Sequence, residues 1–180
     1  MAYGEIPRGL EDLRVAPVTG VGNTVGTFAD VPGVRTFEVN ISQDADRLEG
    51  DNKVIAVAPS AKSLSGSIEL GQINLAALAV MKGGTVATTG TTPDAVSELD
   101  EEDTLVIKYF CIQTAAPSAD VAGSEYQIEV KKVLATGGLS ETMTVNDWDT
   151  PGIDYEGVAV AGVLMTRRQF ETAEGLPYTP

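Results

Sequence analysis

Only one stretch of this chain spaces its apolar residues for a full helix. In NLAALAVMKGG, residues 74–84, the core-facing Leu75, Leu78 and Ala79 recur at three- and four-residue intervals and Lys82 follows. Asn74 is suited to cap its start, and Gly83–Gly84 to end it. Elsewhere the pattern is that of strands. In Thr36–Ile41, Phe37, Val39 and Ile41 point one way while Thr36, Glu38 and Asn40 point the other. Lys62–Leu70 alternates again, with Leu64, Ile68 and Leu70 on one side. Leu13–Val18, Lys53–Ala58, Thr104–Thr114, Ser124–Ala135, Glu141–Val145 and Gly157–Arg167 read as further strands. Six to eight strands with one helix mid-chain predict a mainly β fold, a β-sandwich or barrel with one short flanking α-helix.

The remaining segments read as connections. Pro17 cannot donate to a ladder, so Leu13–Val18 is expected at a sheet edge. The Gly-rich segment Thr19–Gly33 after it reads as loop, as do Thr85–Thr92 and the acidic Pro93–Asp103, the last with room for one helical turn. Asp147–Glu156 reads as a turn-rich link. At 180 residues a single domain over 1–180 is expected, with a loop-rich N-terminal arm at 1–33 and a loose C-terminal tail at 168–180. One segment fits poorly. Eleven residues, Ser42 to Asn52, separate two strands that a turn of two to five residues would join, and five of the eleven are charged.

Charge and composition remove several function classes. The net charge is −14 and the 12 basic residues are scattered, which argues against gripping nucleic acid through its phosphates. There is no histidine, so Ser–His–Asp and Cys–His nucleophile systems and His-ligated zinc are excluded. The single cysteine, Cys111, lies between Phe110 and Ile112 and reads as a small core residue. The segment Gly20–Gly26 has the wrong spacing for a dinucleotide loop and lacks the ending of a phosphate loop. Asp44, Asp46, Glu49 and Asp51 raise a calcium site, but their spacing matches no EF-hand. No carboxylate pair for glycoside hydrolysis stands out. No enzyme activity and no cofactor are expected. MAYGEIPRGLEDL has neither a basic n-region nor an apolar h-region, and the longest apolar stretch, Leu75–Met81, is far below the ~20 residues of a membrane span. A soluble chain that stays where it is made is therefore expected, without a membrane partner.

The order of these features carries a resemblance. A strand, a long acidic segment ending in RLEGDNKVIA, and then SGSIELGQINLAALAVMKGG resemble the major tail (tail tube) proteins of long, flexible, non-contractile-tailed bacteriophages. The likeness covers roughly residues 34–84 well and continues more loosely through 104–135 and the last strand. It implies a structural virion protein, assembled in the host cytoplasm and located in the virion tail. Such proteins form sixfold rings that stack into a hollow tube around a tape-measure protein, with strands continuing from subunit to subunit, and the tube later conducts genomic DNA without specific binding. On this reading Ser42–Asn52 is an inter-subunit contact arm: Leu48 docks on a neighbour, while Arg47, Glu49 and Asp51, beside Asp44 and Asp46, set register by charge. Thr36, Glu38 and Asn40 are the candidate lumen-facing residues. Two neighbouring readings are a tail-terminator ring and the inner tube of a secretion system. A reading from a different class is a monomeric β-sandwich that binds calcium or carbohydrate.

Overall fold

The computed structural model describes residues 7–20, 22–50, 53–100, 108–137, 139, 141, 145 and 151–177. In chain order the elements are β1 (Asp12–Thr19), β2 (Thr24–Val25), β3 (Ala29–Asp30), β4 (Val34–Gly50), β5 (Lys53–Leu70), α1 (Leu75–Lys82), β6 (Thr85–Thr89), β7 (Val96–Asp100), β8 (Tyr109–Pro117), β9 (Glu125–Ala135), β10 (Gly152–Gly157) and β11 (Met165–Phe170). The protein is mainly β, antiparallel throughout its pairings, with one short helix, as a sandwich or barrel with a flanking helix requires.

One sheet runs in the order β2-β1-β8-β9-β10-β5-β4, with β3 joined to β1 and β11 to β9. Strands β6 and β7 form a separate hairpin against α1. Strand β9 is the branching point: its Val133–Ala135 end pairs with β10, and its Glu125–Val130 part pairs with β11. Inward side chains from both parts of the sheet meet in one core. Leu13 and Val15 of β1, Phe110 and Ile112 of β8, and Val130 and Val133 of β9 share it with Leu64 and Ile68 of β5 and Ile153 and Tyr155 of β10. Helix α1 adds Ala77, Leu78 and Met81, which are buried, while Leu75 and Ala79 are half-buried. The Asn74 side chain accepts from the Ala76 N–H at 2.9 Å. Gly83 and Gly84 adopt φ of 97° and 96°, a region glycine enters without cost, and end the helix.

Several sequence expectations are corrected. The segment from Ser42 is not a loop. Strand β4 continues unbroken to Gly50 and β5 starts at Lys53, so the charged arm is the far half of one long hairpin. The strand expected to end at Ala58, before Pro59, instead runs on through it to Leu70, with a register shift between Gln43 and Ala45 beside the proline. Leu13–Val18 is not an edge: β1 pairs with β8 over seven residues. The Pro17 carbonyl accepts from the Gly26 N–H at 2.8 Å, which puts the missing N–H on the side of the short β2 and β3, where no β8 bond is lost. Strands occupy Thr85–Thr89 and Val96–Asp100, both expected as loop. Of the expected link Asp147–Glu156, Gly152–Glu156 belong with Gly157 to a strand between β5 and β9, and 147–150 lie outside the described residues. The expected last strand Gly157–Arg167 instead holds a tight turn at Val160–Val163 before β11. Arg168–Phe170 belong to β11, the Ala173 N–H donates to the Gly123 carbonyl, and Gly175 N–H donates to the buried Glu125 carboxylate. Residues 104–107 of the expected Thr104–Thr114 strand, 142–144 of Glu141–Val145, and Asp51 lie outside the described residues.

Candidate functional site: the outer face and far ribbon of the β4–β5 hairpin

The register of β4, β5 and β10 sorts their side chains into two faces. Phe37, Ile68 and Ile153 sit side by side on the core face, as do Val39, Gly66 and Tyr155. The opposite face carries Thr36, Glu38, Asn40 and Ser42 of β4, Ser63, Ser65, Ser67 and Glu69 of β5, and Asp154 and Glu156 of β10. None of these residues is a lysine or arginine, in a chain that has 12. The carboxylates are held by neutral donors: Thr36 Oγ1 donates to Glu69 Oε2 at 2.8 Å, and Asn40 Nδ2 to Glu38 Oε1 at 2.7 Å. Ser42 and Ser63 share a hydrogen bond at 2.7 Å. The face is thus acidic and rich in hydroxyls, with no cation to neutralise it.

The root of the hairpin is anchored through a glycine. A Cβ at Gly66 would lie 2.1 Å from the Glu38 carbonyl oxygen and 2.4 Å from the Tyr155 hydroxyl. The bare glycine lets the Tyr155 side chain pass beneath β5, and its hydroxyl donates to the Glu38 carbonyl at 2.7 Å. The Phe37 and Tyr155 rings stack with centroids 6.3 Å apart. Burial, and then the Glu38 charge, push the Tyr155 hydroxyl well above its ordinary pKa.

Among the described residues, the hairpin beyond this root covers nothing of its own chain. Ile41–Glu49 and Lys53–Pro59 are exposed at every position. Leu48 is 61% and Ile55 67% exposed, and Val54 and Val57 are more than half exposed. Soluble chains rarely leave such a group uncovered unless something binds it. Asp46 pairs with Ala58 and Leu48 with Ala56, so these two larger side chains share one face with small partners. Arg47 and Glu49 fall on the other face, with Val57 and Val54. Among the described residues β4 pairs with β5 alone, leaving one whole edge of a 17-residue strand unpaired.

No protein-family model matches the chain, and no curated protein is similar to it.

Of the residues singled out from sequence, Thr36, Glu38 and Asn40 stand together on the acidic face, and Asp44, Asp46, Arg47, Leu48 and Glu49 stand on the exposed ribbon. Among the described residues no three carboxylates come together in a way that could hold a metal ion. Ser63, Ser65, Ser67 and Glu69 were readable from the alternation of KSLSGSIEL, since they oppose Leu64 and Ile68. Asp154 and Glu156 were not, because their segment looked like a link. Cys111 is fully buried on β8, and burial, aided by the Glu129 charge, pushes its thiol up to about 12. Such a thiol is no nucleophile. No helix among the described residues is long and apolar enough to cross a membrane.

Proposed function

We propose that this chain is a structural self-assembly protein of the phage tail-tube kind: copies join into closed rings, hexameric by the resemblance, and the rings stack into a hollow tube that conducts DNA. The β4–β5 ribbon carries the reading. It is a long two-stranded projection with an unpaired outer edge and four exposed apolar side chains that its own chain does not cover. An open edge invites pairing with another chain, and closing into a ring removes it. A head-to-tail contact gives a ring when its rotation closes. The acidic face of β4, β5 and β10 suits the bore. DNA meeting carboxylates without cations gains nothing by releasing counterions there and slides. The tape-measure protein would be the transient occupant of the bore during assembly.

The cost is repulsion, since six copies of −14 carry −84. At physiological salt the screening length is about 8 Å, so only near charges count, and an interface of ~800 Å² per partner can offset them.

Negative-stain electron microscopy of the purified protein at rising concentration tests this. Long hollow tubes are expected. Single rings that never stack would favour the terminator reading, and a stable monomer at millimolar concentration in both low and high salt would overturn the proposal.

A further inference from the structure

The region around α1 holds a cavity of about 560 Å³ that is basic where the face of β4, β5 and β10 is acidic. Val18, Ala79, Val80 and Tyr109 form apolar walls, and Lys108 and Lys132 supply two ammonium groups. Lys132 Nζ sits 4.2 Å above the Tyr109 ring and donates to Asn23 Oδ1 at 2.8 Å, so it is held in place. Lys108 is exposed, and its stem lies along Gly83, where a Cβ would come within 3.3 Å of it. A chain of net charge −14 has thus set two of its 12 basic residues around one apolar hollow.

The hollow and the ribbon lie at opposite ends of the sheet. The ribbon projects past Leu64, in the direction from Leu70 to Leu64 along β5. Followed through the register, that direction runs from Gly152 to Gly157 on β10, from Ala135 to Val133 on β9, from Tyr109 to Phe110 on β8, and from Val18 to Pro17 on β1. The hollow lies mainly the other way, past Tyr109 and Val18 toward Lys108, Thr19 and Gly20, while Pro17 and Lys132 of its lining sit just on the ribbon side of Val18 and Val133. A projection at one end and a recess at the other are the two halves of a heterologous, head-to-tail contact.

We propose that the occupant of this recess is the ribbon of a second copy, entering by the face that carries Leu48 and Asp46. Leu48 fills the apolar walls and the Asp46 carboxylate meets Lys108 and Lys132. Ala56 and Ala58, the small cross-strand partners, leave these two side chains standing proud. Irregularities in the register at Gln43/Ala45 and Leu48/Glu49, each adding a residue to β5, re-aim this end of the ribbon relative to the body. The inference rests on the self-assembly proposed above and adds its socket.

Charge exchange tests it. Lys108→Glu and Asp46→Lys, both at exposed positions, are each expected to raise the concentration needed for tube formation at least tenfold, and the double variant to restore it. A second measurement does not depend on charge: Leu48→Cys together with Val80→Cys should form an inter-subunit disulfide in oxidised assemblies, read as a ladder on non-reducing gels. Wild-type tubes with unaffected single variants, or single defects that the double variant does not repair, overturn the socket and leave the tube proposal standing. Wild-type protein that forms no tubes overturns both.

Discussion

At the residue scale, a half-buried glycine and a buried cysteine carry consequences that can be measured. Gly66 is needed as glycine because a Cβ there would collide both with the Glu38 backbone carbonyl and with the Tyr155 ring end that is hydrogen-bonded to it. Gly66→Ala is expected to cost at or above the ~3 kcal/mol upper end of ordinary overpacking. Gly152→Ala, where a Cβ meets only the Ile68 carbonyl at 3.9 Å, is expected to be nearly silent. Urea midpoints of the two variants check the contrast, and equal midpoints would refute it. Cys111 gives a pH signature. Its folded pKa is raised from 9 to about 12, so above pH 9 the unfolded chain loses a proton that the folded chain keeps. Stability is therefore whole below pH 9 and falls as pH climbs, by about 1.4 kcal/mol per unit. Tyr155, also raised, adds to the fall from pH 10 upward. Between pH 9 and 11 Cys111→Ala should lose about 2 kcal/mol less than wild type, whatever its constant cavity penalty. Parallel stability curves for the two proteins would remove Cys111 from the account.

At the scale of elements, the hairpin separates from the body along a clear line. Gln43 pairs with Lys62, and Asp44 to Ala61 add no residue to the core cluster. Replacing residues 44–61 with Asn-Gly closes that pair with a two-residue turn. The expected product is a folded monomer with wild-type thermal stability within a few degrees and no polymer by light scattering; normal tubes from it would show that the ribbon is dispensable.

The same hairpin shows what was legible in the sequence and why. Thr36–Ile41 and Lys62–Leu70 were plain because one face of each packs on the core, so burial wrote a period of two into them. Their extensions pack on nothing. Without a dry side there was no alternation to read, and Asp, Glu and Gly suggested a loop, although backbone pairing alone carries the strands on. β6 and β7 were missed for a related reason, since only Val86 and Leu99 in them turn away from solvent. β10 was hidden by brevity: just Ile153 and Tyr155 mark its inward face. The helix, with its cap and two glycines, was legible in full. The acidic face was half legible, because its β10 column depends on a pairing that no local pattern announces.

At the scale of the whole molecule, charge is distributed with a purpose that net values conceal. The face of β4, β5 and β10 is acidic without basic residues, while the recess by α1 is basic. If the first lines a bore, Glu38→Lys places six cations around it in a hexamer. Tube length should be unchanged and DNA passage from virions carrying the variant slowed, increasingly so at low salt. Unaltered passage would put Glu38 on another surface.

The continuity of β4 and β5 from core to tip has a mechanical side. The ladder between β5 and β10 runs along the same axis, so a pull on the tip loads its bonds together in shear instead of peeling them apart one at a time. The Tyr155 strut beneath Gly66 ties the root of that ladder to a third strand. Tension arriving at Leu48 would be passed into the core and shared there, and a column of such units would carry a stretching load from one end to the other without its joints unzipping.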